Sequence, residues 1–181
     1  MQKQLNSIVK ILKGGGVIVY PTETAYALGC DITNKKAVGR IYRLKKRSKT
    51  KSLTAIVADL KMAKKFSRIS KFEEKIIKKH MPGPFTLIVK KKKAIPDLAN
   101  KDFAFRISSN KIAKELSRAL KKPIASTSAN LSGSGAEYNI KPIIKEFGTK
   151  VDAIIDSGNL PKKKVSTIAK VIEGKLVILR K

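Results

Sequence analysis

The chain has 181 residues, 42% hydrophobic and 30% charged. That length fits one domain, 1–181, and excludes two large ones, while the hydrophobic share excludes a disordered chain. Lys plus Arg number 41 against 13 acidic residues, a formal net charge of +28, with 34 Lys and only 7 Arg; this favours phosphate-rich partners such as nucleotides or RNA, although lysine enrichment alone also fits a solvated face.

Leu5, Ile8, Val9 and Leu12 recur at helical spacing, and Gly14-Gly15-Gly16 ends that pattern. Val17 to Tyr20 is a short buried strand stopped by Pro21. Asn34 can cap a helix to about Lys46, with Val38, Ile41, Tyr42 and Lys45 on one face. Leu53 to Ala58 is a strand, and Asp59 can cap the next helix. Phe72 to Lys79 is a helix ended by Pro82-Gly83-Pro84; Phe85 to Val89 is a strand leading into the solvated run Lys90 to Lys93. Phe103 to Ile107 is a strand, Asn110 caps a helix to Leu120, Ile124 to Thr127 is a strand and Ile140 to Phe147 a short helix. Ala153 to Ile155, Val165 to Ile172 and Leu176 to Leu179 close the chain as strands, the last two joined by the turn Glu173-Gly174-Lys175. The pattern predicts one α/β domain built on a mixed sheet.

Cys30 and His80 are each single, so an internal disulfide and a thiolate zinc site are excluded, and Ser-His or Cys-His catalysis has little support. No apolar run reaches the ~20 residues of a membrane span. Met1 to Lys13 reads as a charge-broken helical pattern rather than a signal peptide. The expected protein is soluble, cytoplasmic and free of a resident metal.

Four segments are unusual for a scaffold. Tyr20-Pro21-Thr22-Glu23-Thr24 puts hydroxyls and free amides at a strand end leading into a helix, which suits an anion or a plain helix cap with Glu23 in the first turn. Lys45-Lys46-Arg47 closes a helix, where cations are favourable anyway, but Lys45 falls on the apolar face and Arg47 has the fork for two phosphate oxygens. Ser126-Thr127-Ser128-Ala129-Asn130-Leu131-Ser132-Gly133 is either a hydroxyl-rich turn or a binding loop. Arg106, Ser166, Thr167 and Arg180 are polar residues in or beside apolar strands, on a wet face or in a site. Many anion binders without an evident nucleophile suit phosphoryl or nucleotidyl transfer.

Taken in order, Tyr-Pro-Thr-Glu-Thr-Ala-Tyr-Ala-Leu-Gly from Tyr20, Lys-Lys-Arg from Lys45, Pro-Gly-Pro-Phe-Thr from Pro82, Arg106, Ser-Thr-Ser-Ala-Asn-Leu-Ser-Gly from Ser126, Ser-Thr at 166 and Leu-Arg at 179 resemble the YrdC family, the threonylcarbamoyl-adenylate synthases. The family's Lys-x-Arg and Ser-x-Asn tetrad is complete as Lys45, Arg47, Ser128 and Asn130. The resemblance implies a twisted mixed sheet with flanking helices and a positively charged concave cleft. It implies synthesis of threonylcarbamoyl-AMP and pyrophosphate from L-threonine, bicarbonate or carbon dioxide, and ATP. It assigns catalysis to Lys45 and Arg47, ATP binding to these with Asn130 and Arg180, and threonine binding to Thr22, Arg106, Ser128 and Ser166. Magnesium is expected to arrive with ATP as substrate, with no tightly bound cofactor. The implied partners are a downstream threonylcarbamoyl transferase and tRNA or double-stranded RNA in the basic cleft, with no membrane. Leu53 to Val57 lacks the His that many relatives carry, and the extra C-terminal domain of long members is expected to be absent. Tyr-Ala-Leu-Gly-Cys is similar to the YciO branch, for which the alternative is a non-catalytic RNA-binding module.

Overall fold

The computed structural model describes residues 2–48, 50–96 and 102–181; Met1, at the head of the first helical pattern, lies outside them. Helix α1 (Gln2–Lys13) is followed by the hairpin β1 (Ile18–Pro21) and β2 (Tyr26–Gly29). Helix α2 (Lys35–Leu44) starts where the Asn34 side chain accepts from the Ala37 N–H, and β3 (Thr54–Val57) precedes α3 (Leu60–Phe66), capped by Asp59. The two-residue β4 (Ser67–Arg68) leads to α4 (Lys71–His80), which opens on a capping box between Ser70 and Glu73. Then come β5 (Phe85–Lys91), β6 (Asp102–Ile107), α5 (Lys111–Leu120) capped by Asn110, β7 (Ile124–Ser128) and α6 (Ile140–Phe147). The chain closes with β8 (Ala153–Ile154), β9 (Thr167–Ile172) and β10 (Lys175–Arg180).

The strands form one mixed sheet in the order β10-β9-β5-β6-β3-β7-β2-β1-β8, with β4 on the side of β5. The pairs β1/β8, β3/β6 and β5/β9 are parallel, and the remaining pairs are antiparallel. Alternation sends Val19, Leu28, Ala55, Val57, Leu87 and Phe105 to one face, where α2, α3, α4 and α6 cover them. Ile18, Tyr20, Ile56 and Ile124 point to the other face and meet Leu12 of α1 and Leu116 of α5. These two helices cover only the part of that face near β1, β3 and β7. Further along, the same face carries polar residues. Arg106 pairs with Ile56, and Thr86 adjoins Leu87, the partner of Phe105. Thr86 pairs with Ile168, and Ile168 with Arg180. One cross-strand row thus runs from Ile124 through Ile56, Arg106, Thr86 and Ile168 to Arg180.

Several sequence expectations change. Tyr20 to Thr24 does not enter a helix; Thr22 to Ala25 is the bend of a hairpin, and Pro21 is the last residue of β1, paired with Tyr26. Strands β2 and β4 add to the elements expected from the sequence. Val165 and Ser166 precede β9 rather than lying inside it. The hairpin is held against β7 by Tyr20, whose hydroxyl donates to Ala125 O at 3.1 Å. Gly29 makes that packing possible: a Cβ there would come within 2.5 Å of Tyr20 Cε1 and 2.7 Å of Ala125 O.

Candidate active site

Lys45 follows the last turn of α2 on the same side as Ile41 and Tyr42, and it is 1% exposed. A buried ammonium needs acceptors. Its Nζ donates to Ser128 O at 2.5 Å, Asn130 O at 2.7 Å and Asn130 Oδ1 at 2.8 Å. The Asn130 amide is oriented by its Nδ2, which donates to Ser134 O and Gly135 O, so Oδ1 faces Lys45 and also accepts from Ser128 Oγ at 2.6 Å. The Ser132 N–H donates to Lys45 O, closing the loop onto the helix end. All these acceptors are neutral. Burial, and then the charge of Arg47, lower the Lys45 ammonium to about 8 from its ordinary 10.5. The Arg47 guanidinium folds onto the loop behind it, donating from Nη2 to Ser52 O at 2.9 Å and from Nε to Lys51 O at 3.3 Å.

A second cluster forms around the β1–β2 bend. Thr22 Oγ1 accepts from the N–H groups of Thr24 and Ala25 and donates to Ala25 O at 2.6 Å, an ST-turn that fixes the bend. Glu23 then points inward, where its Oε1 lies 3.2 Å from Arg106 Nε, with both side chains under a tenth exposed. This is an ion pair by distance, but neither atom makes a hydrogen bond among the described residues. Ser108 Oγ donates to Glu23 Oε2, and Arg106 Nη2 lies 3.4 Å from Thr24 Oγ1.

The third cluster closes the sheet. Arg180 donates from Nη2 to Ser166 O at 2.7 Å and to Ser166 Oγ at 3.2 Å, and Thr86 Oγ1 donates to Ser166 Oγ at 3.1 Å. Burial, and then the charge of Arg106, hold Arg180 below its ordinary value. The two arginines share one row three strands apart, about 14 Å between backbones.

Of the residues singled out in the sequence, Lys45, Ser128 and Asn130 are in direct contact. Thr22 joins Arg106 through Thr24, and Ser166 joins Arg180. Ser128 hydrogen-bonds within the Lys45 group rather than to Arg106. Glu23, Thr24, Ser108 and Thr86 are buried polar residues that the sequence reading left out of the site. For Glu23 the missed signal was the apolar run on both sides of the bend, which has strand rather than helix periodicity.

The Sua5_yciO_yrdC family model, described as telomere recombination, matches residues 10–181. The chain belongs to the Sua5/YciO/YrdC family. It is 38% identical over 164 residues to a threonylcarbamoyl-AMP synthase of Psychromonas ingrahamii, covering 86% of each chain. Within the Sua5/YciO/YrdC family, its fold superimposes on P. abyssi Sua5 complexed with L-threonine with a TM-score of 0.94 at 28% identity. That match covers 99% of this chain and 54% of the Sua5 chain, so the protein spans about half the length of that relative. It also superimposes on E. coli YciO with a TM-score of 0.90 at 34% identity, covering 99% of this chain and 89% of that one.

Proposed function

We propose that the protein is an L-threonylcarbamoyladenylate synthase, which joins L-threonine, bicarbonate or carbon dioxide, and ATP into threonylcarbamoyl-AMP and releases pyrophosphate. The carrying observation is Lys45: a buried ammonium ringed by neutral oxygens, whose charge no carboxylate among the described residues cancels. In a site of low dielectric such a charge acts strongly on a developing phosphate charge. Its three N–H groups are taken by loop oxygens, so ATP exchanges one of them for a phosphate oxygen.

The nucleophile belongs to the substrate. Threonine's amine and bicarbonate form a carbamate with loss of water, and the carbamate oxygen attacks the α-phosphorus with pyrophosphate leaving. The protein supplies position and charge. Lys45 meets the phosphates together with Asn130 and Arg180, Arg47 leaves the Lys51 and Ser52 carbonyls to join them, and magnesium enters with ATP. Arg106 takes the threonine carboxylate, with the hydroxyls of Thr22 and Ser166 around the amino acid, while Ser128 stands beside Lys45 at the phosphate end. Four residues along β7 and two strands across the sheet separate Ser128 from the Arg106 row, roughly 15 Å. That span suits a nucleotide joined to an amino acid, with the basic face as the concave cleft.

The product passes to a threonylcarbamoyl transferase acting on an adenosine of tRNA, and the positive face offers tRNA or double-stranded RNA a landing surface. No helix among the described residues is long and apolar enough to cross a membrane; a free, buried Cys30 suits the reducing cytoplasm. A non-catalytic RNA-binding module is the weaker reading. It needs stacking aromatics, and Phe72 is the one exposed Phe or Tyr side chain among the described residues. Pyrophosphate release tests the proposal. It is expected to require ATP, threonine and bicarbonate together; release that ignores threonine would overturn it.

A further inference from the structure

Among the described residues, Glu23 is the carboxylate that occurs in the Lys45, Arg106 and Arg180 clusters, and one of its two oxygens accepts no hydrogen bond. Oε2 is filled by Ser108 Oγ, whose own oxygen accepts from the Asn110 N–H at 3.1 Å, so the hydroxyl proton is directed at Glu23. Oε1 is buried and accepts no hydrogen bond among the described residues. A buried charged oxygen left without a donor is costly, and native folds rarely keep one without a use. The ST-turn at Thr22 fixes the backbone beneath it, so the side chain is aimed rather than loose.

Beside that oxygen stands a guanidinium, 3.2 Å away. A buried anion and cation side by side match a zwitterion whose own charges sit on adjacent groups. We propose that Glu23 Oε1 binds the ammonium of the amino-acid substrate while Arg106 holds its carboxylate. This rests on the assignment of Arg106 to threonine. Glu23 is then the residue that selects an α-amino acid over an α-hydroxy acid. It also holds the nitrogen that becomes the carbamate once the ammonium has passed one proton to the Glu23 carboxylate. Arg106 Nε, facing Glu23 Oε1, likewise makes no hydrogen bond among the described residues.

The test uses two ligands: L-threonine and 2,3-dihydroxybutanoate, in which a hydroxyl replaces the amine. Binding is measured by calorimetry on the wild-type protein and on Glu23→Gln. The wild type is expected to bind threonine about 10- to 100-fold more tightly than the hydroxy acid. Glu23→Gln is expected to lose most of that preference, weakening threonine by a similar factor while the hydroxy acid changes less than about threefold. Equal weakening of both ligands would make Glu23 a mere support for Arg106 and overturn the proposal, as would an unchanged threonine affinity. If neither ligand binds the wild type, the assignment of Arg106 fails instead. The wild-type comparison stands without the variant: equal affinity for the two ligands overturns the proposal even if Glu23→Gln does not fold.

Discussion

Asn130 Oδ1 accepts hydrogen bonds from both Lys45 Nζ, at 2.8 Å, and Ser128 Oγ, at 2.6 Å. The amide oxygen therefore joins the helix end to the loop without neutralising the ammonium. Asn130→Asp keeps the shape and adds the missing negative charge. It is expected to weaken ATP about 10-fold or more, because the ammonium becomes half of an ion pair. Threonine affinity is expected to change little. ATP affinity equal to wild type in a folded variant would show that the uncompensated charge has no role in binding.

The lowered Lys45 ammonium sets a pH dependence. It titrates near 8 in the fold and at 10.5 as an ordinary lysine. Between these values the unfolded chain holds the extra proton, so this group makes the fold more stable as pH rises through that window. The charge that grips ATP is lost in the same window. The rate at limiting ATP is expected to fall above pH 8 while stability rises, and the fall is expected to lie higher at saturating ATP. Arg47→Ala, which removes a neighbouring cation, is expected to move the limb upward and to slow pyrophosphate release by about 100-fold. A pH profile flat from 7 to 10 would remove Lys45 from the reaction.

Arg106→Lys keeps the charge but loses the planar fork and its reach to Thr24. The threonine requirement is expected to rise about 10-fold or more, with ATP binding nearly unchanged. Loss of ATP affinity instead would place Arg106 at the wrong substrate.

Arg180 is tied to Ser166 by hydrogen bonds to both its carbonyl and its hydroxyl, although it is the penultimate residue. Deleting Arg180 and Lys181 is expected to leave a folded protein, since Leu176 and Val177 still pair with Val171 and Lys170. Adenylate synthesis is expected to fall about 10-fold or more, with threonine binding less affected. Deleting Lys181 alone is the control: equal damage from that deletion would show that terminal charge, not Arg180, matters.

The helix starts were legible because Asn34, Asp59 and Asn110 are strong caps followed by apolar periodicity, and all three cap as expected. Lys45 stood out as a charge on an apolar helix face and is buried there. The hairpin strand Tyr26–Gly29 was not legible: only four residues separate it from β1, and their hydroxyls mimic a helix cap. Glu23 was lost with it, since a carboxylate after Thr reads as a first-turn residue until the chain is seen to fold back. Ser67–Arg68 is too short to show any period. The contact of Ser128 with Lys45 rather than Arg106 depends on the loop's return path, which residue spacing alone does not encode.

Synthesis of an adenylate in which a carbamate made from threonine is joined to AMP can be read from its product. The most direct measurement incubates the wild-type protein with ATP, L-threonine and isotopically labelled bicarbonate and analyses the mixture by mass spectrometry. Threonylcarbamoyl-AMP carrying the label is expected, formed with pyrophosphate, and is expected to be nearly absent with Lys45→Met. Folded protein that binds ATP and threonine yet yields no labelled adenylate would contradict it.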